Sequence, residues 1–348
     1  MKTIGAAIVG GTGFGAGELL RYFVSHPAVE VVSVVSSSSP GERISGSHPY
    51  LSSFYDRPFD AALPFERLEP YRERFIFLAL PHGQSGLWLK EHRAKLGRTK
   101  LIDLSADYRL SVQAVHEQTY PEVPFDGEIR SQFCYGLSEA ASEQIARSHW
   151  IANPGCLATA CALAAKPLLS AFSSELSGTL CFDAKTGTSG AGRKAQDSMH
   201  HPTRHANMEA YKVLCHRHEP ELRQALGLSA AQRTMFVPHL LPCTRGIFVT
   251  VYTELKSPQS ASDLLDCYQR FYQGKRFIRI RETSPTLHDV VGTNFCDIAV
   301  AVRGTQVVVM CSLDNMGKGM AGQAIQNMNL MCGLDETSGL LIPSVGPL

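Results

Sequence analysis

Residues 10–17 read GGTGFGAG, and they stand between an apolar run at 2–9 and a stretch of helical periodicity at 14–25. Few folds accommodate so many glycines between a strand and a helix. Gly10, Gly13 and Ala16 have the spacing at which small residues let the backbone turn tightly, approach a pyrophosphate and pack the helix against the strand. The helix N-terminus would add N–H donors and the positive end of its dipole. The turn therefore predicts a bound dinucleotide, with Gly10, Thr12, Gly13, Phe14 and Gly15 as contacts. An ordinary tight strand–helix turn is the plainer alternative.

The next segments fit that reading. Residues 29–35 are β-branched, residues 75–80 and 101–105 are apolar and short, and 84–95 is helical in pattern. Apolar strands alternating with helices predict a parallel sheet covered on both faces, hence an α/β, Rossmann-type domain. A site for NAD usually has Asp or Glu at the end of the second strand, for the ribose 2′-hydroxyl. This chain has Ser36, Ser37, Ser38 and Ser39 there, with Arg43 nearby. Hydroxyls can donate to a 2′-phosphate that an acid would repel, so NADP(H) is the expected cofactor and Ser36, Ser37 and Ser38 its contacts. A solvated serine loop is the alternative.

Near residue 150 the rhythm changes. A strand end at 150–153 is followed by Pro154-Gly155 and a helix over 156–169. Strands then dominate, at 179–184, 234–237, 247–254, 277–281, 297–302 and 306–311. That pattern predicts a mixed or antiparallel sheet and a second, α+β domain spanning 156–313. The first domain spans 1–155, joined by residues 314–348, whose helix at 317–331 returns to it.

Composition narrows the function classes. Lys plus Arg number 33 and Asp plus Glu 32, so no net field favours nucleic acid or an anionic membrane. No run of 18 or more apolar residues marks a membrane span. The ten cysteines include no CxxC pair, which removes the usual zinc spacing and makes reduced thiols in a cytoplasmic protein the default.

One cysteine stands apart. Cys156 follows Asn153-Pro154-Gly155 and opens an apolar helix. A thiol in the first turn of a helix meets the positive dipole end, which favours thiolate, the form that attacks carbonyl carbon. Cys156 is thus the expected nucleophile. Cys161 reads as buried.

The chain also resembles the semialdehyde dehydrogenase family, in the branch that reduces N-acetylglutamyl phosphate. The resemblance runs through GGTGFGAGELLR, LALPHGQS at 78–85, IDLSADYRL at 102–110, YGLSE at 135–139 and ANPGC at 152–156. It continues in GTSGAGR at 187–193, HRHEPEL at 216–222, PHLLPCTRGI at 238–247 and DNMGKGMAGQAIQNMN at 314–329. Two departures stand out. Leu157 replaces a usual aromatic residue, and serines alone stand where the family often adds an arginine. The resemblance implies an NADPH-dependent reduction through a thioester on Cys156, with His216 as acid–base, Asn315 near the nicotinamide amide and a homodimer or homotetramer as the assembly. His200, His201 and His205 with His216 and His218 could be read as metal ligands instead, but no metal is expected. The same chemistry on a one-carbon-longer or carrier-bound acyl phosphate is the nearest rival. Aspartate-semialdehyde chemistry and a non-catalytic NADP sensor are more distant ones.

An acyl phosphate with a carboxylate is anionic at two places, and the planar fork of arginine binds oxyanions with two bonds. Arg109, Arg193 and Arg245 lie inside the matching segments and are expected at the substrate, with Ser105 and Asn153. For each arginine a surface ion pair is the alternative. The glycine-rich loop at 187–192 is expected to offer N–H groups to a phosphate or oxyanion. Ser189 and Gly190 within it are counted as cofactor contacts.

Overall fold

The computed structural model describes residues 3–346. The chain forms two compact units. One comprises the chain up to Pro154 together with Met320–Leu341; the other comprises Gly155–Gly319 together with the chain from Ile342.

The first unit is built on six strands: β1 (Ile4–Val9), β2 (Val29–Val35), β3 (Glu73–Leu78), β4 (Lys100–Asp103), β5 (Phe133–Tyr135) and β6 (Trp150–Ala152). Their order is β2-β1-β3-β4-β6-β5 and every pairing is parallel. All six residues of β1 are buried, as a strand covered on both faces requires. The strand order reverses between β1 and β3. In open parallel sheets the crevice beyond the strand ends at such a reversal is where ligands bind, and residues 10–17 begin there. β5 is a three-residue edge strand, too short to leave a periodic signal.

The expected single helix at 317–331 is two structures. Gly317–Ala321 winds as a wider π turn, and only Gly322–Met331 is α-helical. That helix belongs to the first unit and is buried at all but one position, although it carries four amide side chains. Each amide has a partner. Gln323 and Asn327 donate to the Gly136 carbonyl, both at 2.8 Å. Gln326 donates to Glu139 at 3.0 Å, and Asn329 accepts from His26 at 2.9 Å. Buried amides without such partners would cost about 1–3 kcal/mol each.

The second unit is a seven-stranded mixed sheet: β7 (Leu180–Thr186), β8 (Glu209–Ala210), β9 (Thr234–Leu240), β10 (Ile247–Glu254), β11 (Ile278–Ile280), β12 (Cys296–Arg303) and β13 (Gln306–Leu313). Its order is β11-β12-β13-β10-β7-β9-β8. Burial alternates strictly along β7, so one face lies under the helices Cys156–Phe172 and Ala261–Phe271 and the other is half-covered. On the half-covered face, the Asp183 carboxylate meets Lys185 Nζ at 2.5 Å and His239 Nδ1 at 3.2 Å.

The helix that opens with Cys156 runs three residues past its expected end, through Pro167 to Phe172. A proline inside a helix removes the bond to the carbonyl four residues back, here that of Leu163. The Tyr272 hydroxyl donates to that carbonyl at 2.6 Å, and Tyr268 does the same for Ala164 at 2.7 Å. Among the described residues no helix is long and apolar enough to cross a membrane.

Candidate active site

In the first unit the glycine turn is fastened to the ends of two strands. The Gly10 and Gly11 N–H groups both donate to the Val35 carbonyl, at 3.0 and 2.8 Å. Gly10 has φ +98°, and a Cβ there would lie 2.4 Å from the Ala79 carbonyl oxygen, so only glycine fits. The helix Phe14–Val24 then begins with no side-chain cap and no acidic residue in its first turn. Its N–H donors and positive dipole end are therefore open to an anion. This cradle fits a dinucleotide pyrophosphate, and Thr12, Gly13, Phe14 and Gly15 line it. His48 supports the turn from behind, with Nε2 donating to the Gly11 carbonyl at 2.8 Å. Gly17 admits that ring, since a Cβ at 17 would sit 2.6 Å from His48 Nδ1.

In the serine turn one residue is buried and two are exposed, with the Ser36 and Ser38 hydroxyls 3.3 Å apart. Ser36 is buried and its Oγ accepts the Ser39 N–H at 3.1 Å, while Ser37 and Ser38 are exposed. Arg43, expected to help neutralise a 2′-phosphate, instead pairs with Asp56 at 2.6 Å.

Three expected substrate contacts in this unit have a framing role. Arg109 is buried, and it donates to the carbonyls of Asn153 and Leu104, both at 2.9 Å. The Asn153 amide donates to the Met320 carbonyl at 3.0 Å and accepts from Asn327 at 3.3 Å. Ser105 donates to Asp103 at 2.7 Å and accepts the Asp107 N–H. Asp107 in turn accepts the N–H groups of Gly83 and Gly86, at 2.7 and 2.9 Å. Burial, and then the neighbouring Asp107, push the Asp103 carboxyl up to about 7. The guanidinium and hydroxyl read from sequence as ligand groups are thus bound to their own backbone and side chains.

In the second unit Cys156 is the first residue of its helix and is partly exposed. Gly155 caps the helix in extended backbone, and the first turn has no side-chain cap and no acid. The Gly155 N–H donates to Glu221 Oε1 at 2.7 Å. Gly319 packs against the nucleophile: a Cβ at 319 would lie 2.8 Å from Cys156 Cβ. Cys161 is fully buried, and desolvation with the nearby Cys156 raises its thiol well above the ordinary range.

His216 sits just before the helix His218–Leu226. Its ring lies edge-on to Tyr211 at 5.4 Å and to His218 at 4.8 Å, and 5.4 Å from Phe236. Its Nδ1 accepts the His218 N–H at 3.1 Å. Burial, reinforced by Arg217 and Lys212, lowers its pKa to about 3. Tyr211 links the histidine to the nucleophile: it touches the His216 ring, and its hydroxyl is raised by burial and by the Cys156 sulfur.

The loop at 187–192 differs from expectation. The N–H groups of Gly187, Thr188 and Ser189 donate to the carbonyls of Gly246, Cys243 and Thr244 at 2.9–3.0 Å. The loop extends the pairing of β7 with β10, so those donors are already taken. Asn315 is likewise engaged, accepting the Gly246 N–H and donating to Ser189 Oγ, both at 2.8 Å. Gly190 lies within 3.8 Å of the Asn315 amide, measured from where a Cβ would stand. Arg193 is exposed just beyond the loop. Arg245 Nε donates to the fully buried Asp314 at 2.9 Å. Among the described residues no group of three or more His, Cys, Asp or Glu side chains could hold a metal ion.

Comparison with known proteins fits both units. Residues 5–148 match the semialdehyde dehydrogenase NAD binding domain, and residues 156–315 match the semialdehyde dehydrogenase dimerisation domain. N-acetyl-gamma-glutamyl-phosphate reductase from Methanosarcina barkeri is 40% identical over 99% of this chain and 100% of its own. The protein of that name from Symbiobacterium thermophilum is 40% identical over 99% of each chain. The chain belongs to the N-acetyl-gamma-glutamyl-phosphate reductase branch of the semialdehyde dehydrogenase family. Solved structures share the fold: aspartate semialdehyde dehydrogenase II from Vibrio cholerae aligns with a TM-score of 0.70 at 16% identity, over 96% of this chain and 99% of that one. The NADP-bound aspartate semialdehyde dehydrogenase from Candida albicans aligns with a TM-score of 0.64 at 14% identity, over 94% and 98%.

Within this reductase, the sequence reading passed over residues that shape the site. Asp314 organises the turn beside Cys156. Its carboxylate accepts from Arg245, from Gly292 N–H at 2.5 Å, and from the Met316 and Gly317 N–H groups at 2.7 and 3.0 Å. The Asp-Asn-Met-Gly run is a turn signal that could have marked it. Tyr211 and Gly319 carried no local signal; only the folded reductase brings them to the nucleophile.

Proposed function

We propose that this chain reduces N-acetyl-γ-glutamyl phosphate to N-acetylglutamate 5-semialdehyde and phosphate, with NADPH as reductant and Cys156 as nucleophile. The observation carrying the reading is the seat of Cys156: first turn of a helix with no side-chain cap, Gly319 against it, and Tyr211, whose ring meets that of His216, within reach of its charge. The helix dipole stabilises the thiolate. The thiolate sulfur bonds to the acyl carbon, the bond to the phosphate oxygen breaks, and a thioester forms on Cys156. The glycine turn would hold NADPH, Ser37 and Ser38 would meet its 2′-phosphate, and the bound cofactor would supply the hydride. When the tetrahedral adduct collapses, the carbon–sulfur bond breaks and Cys156 is restored as thiolate.

His216 acts in its neutral form. A pKa lowered to about 3 means the ring has lost its extra proton well below neutral pH. Because Nδ1 accepts a backbone N–H, Nε2 bears the remaining proton and can donate to the oxygen that becomes negative. The profile of kcat/KM reports the free enzyme, so it should show no imidazolium inflection near about pH 6.5. His216→Gln, which can donate but not titrate, should lose about 10²–10³-fold in kcat/KM yet keep the profile shape. A wild-type inflection there that vanishes in the variant would exclude the neutral donor.

Arg193 and Arg245 are the arginines assigned to the substrate anions in this reading. The enzyme is proposed to work in the cytoplasm as a homodimer or homotetramer, with a second copy on the half-covered face of β7, β9 and β10. The assay is phosphate-dependent NADP reduction by N-acetylglutamate 5-semialdehyde, with the one-carbon-longer semialdehyde in parallel. Absence of phosphate-dependent turnover with the first, or clear preference for the second, overturns the substrate assignment.

A further inference from the structure

The buried carboxylate of Glu221 is not accounted for by the chemistry above. Glu221 is fully buried on the helix His218–Leu226, which packs against the helix of Cys156. Its Oε1 accepts the N–H of Gly155, the residue that caps the Cys156 helix, at 2.7 Å. In an ordinary capping box, a Glu or Gln three positions into the same helix reaches back to that N–H. Here the third position is Ala158 and has no such group. A glutamate from 66 residues away fills the place.

We propose that Glu221 is a positioning residue for Cys156: it holds the cap N–H that fixes where the thiol leaves the backbone, and sets a carboxyl group against the residue that precedes the sulfur. This rests on Cys156 being the nucleophile. The two effects oppose each other. The hydrogen bond fixes the turn from which the sulfur attacks, and small misplacement of a reacting atom is expensive in rate. The carboxylate also draws on the helix dipole that favours the thiolate, and like charges disfavour one another's formation. The other titratable groups at this corner are Tyr211, His216, His218 and Cys161, with Arg217 and Lys212 as the cations. Each remains in place when only Glu221 is changed. The helix carrying Glu221 starts two residues after His216, so one element sets both the nucleophile's turn and the proton donor's approach.

The test is alkylation of Cys156 by iodoacetamide without substrate, followed across pH by peptide-resolved mass spectrometry so that exposed Cys215 is counted separately. Wild type, Glu221→Gln and Glu221→Ala are compared, with kcat and KM measured alongside. Glutamine keeps an acceptor for the Gly155 N–H and removes the charge. Its alkylation midpoint should fall by about one pH unit, with kcat within roughly threefold of wild type. Alanine removes both; its midpoint should also fall, and kcat should drop roughly 30-fold with KM little changed. Rescue of kcat by glutamine but not alanine separates positioning from charge. If the glutamine profile overlays wild type, or alanine turns over normally, the proposal is overturned. Alkylation needs no substrate, so failure of the substrate assignment leaves all three variants inactive toward that acyl phosphate and the alkylation result intact.

Discussion

Cys156→Ser should fold, bind dinucleotide and reduce acyl phosphate at least about 10⁴-fold more slowly than the wild type. Serine is close in size and suits the first turn of a helix, so the helix N-terminus and its contacts with Gly319 persist. What is lost is the anion. A helix end favours thiolate because the thiol's ordinary pKa is near 8.5, whereas a hydroxyl remains un-ionised under the same field. Steady-state turnover, with circular dichroism to verify the fold and mass spectrometry of quenched mixtures to seek the acyl adduct, measures this directly. Near-normal turnover, or a wild-type enzyme that never shows an adduct at Cys156, would remove the thioester from the mechanism.

Gly319→Ala should cost about 10²-fold in kcat, because the added methyl must displace the reacting sulfur. Its Cβ would lie 2.8 Å from Cys156 Cβ and 3.1 Å from the Asp314 carbonyl oxygen. That oxygen already accepts the Gly319 N–H at 2.8 Å, so the backbone has little room to retreat. Overpacking of this kind costs about 1–3 kcal/mol of stability, a second readout in thermal melts. Gly46→Ala is the matched control, since a Cβ there meets nothing within 4 Å. Equal turnover by the two variants would mean that close packing against Cys156 has no bearing on catalysis.

Local signals were legible and distant ones were not. The run Ile4–Val9, the glycine turn and the opening of a helix at Cys156 are patterns within a dozen residues, and the fold keeps them nearly as read. The helix of Cys156 was read to residue 169 and runs to Phe172; the tyrosine that satisfies the Leu163 carbonyl freed by Pro167 comes 109 residues after Leu163 and left no local sign. Arg109 looked like an anion ligand because its donors suit an oxyanion; they suit backbone carbonyls equally, and burial cannot be read from one residue. The loop at 187–192 looked rich in donors until pairing with residues 243–246 consumed three of them. Glu221, Asp314 and Gly319 share the same difficulty. Their meaning lies in partners brought together only by the second unit's folding.

The first unit is interrupted by Gly155–Gly319, the greater part of the second, and this sets an order of events during synthesis. Its six strands leave the ribosome early, but the helix Gly322–Met331, whose amides occupy the Gly136 carbonyl, Glu139 and Asn153, comes almost last. Domains usually mature from the N-terminus as they emerge. Here the nascent dinucleotide fold waits for its last helix while Gly155–Gly319 of the thiol-bearing unit is synthesised. A chain ended before Gly322 therefore leaves the Gly136 carbonyl and Glu139 without the amides this helix brings them, so the last turn of synthesis is what seals the first unit's core.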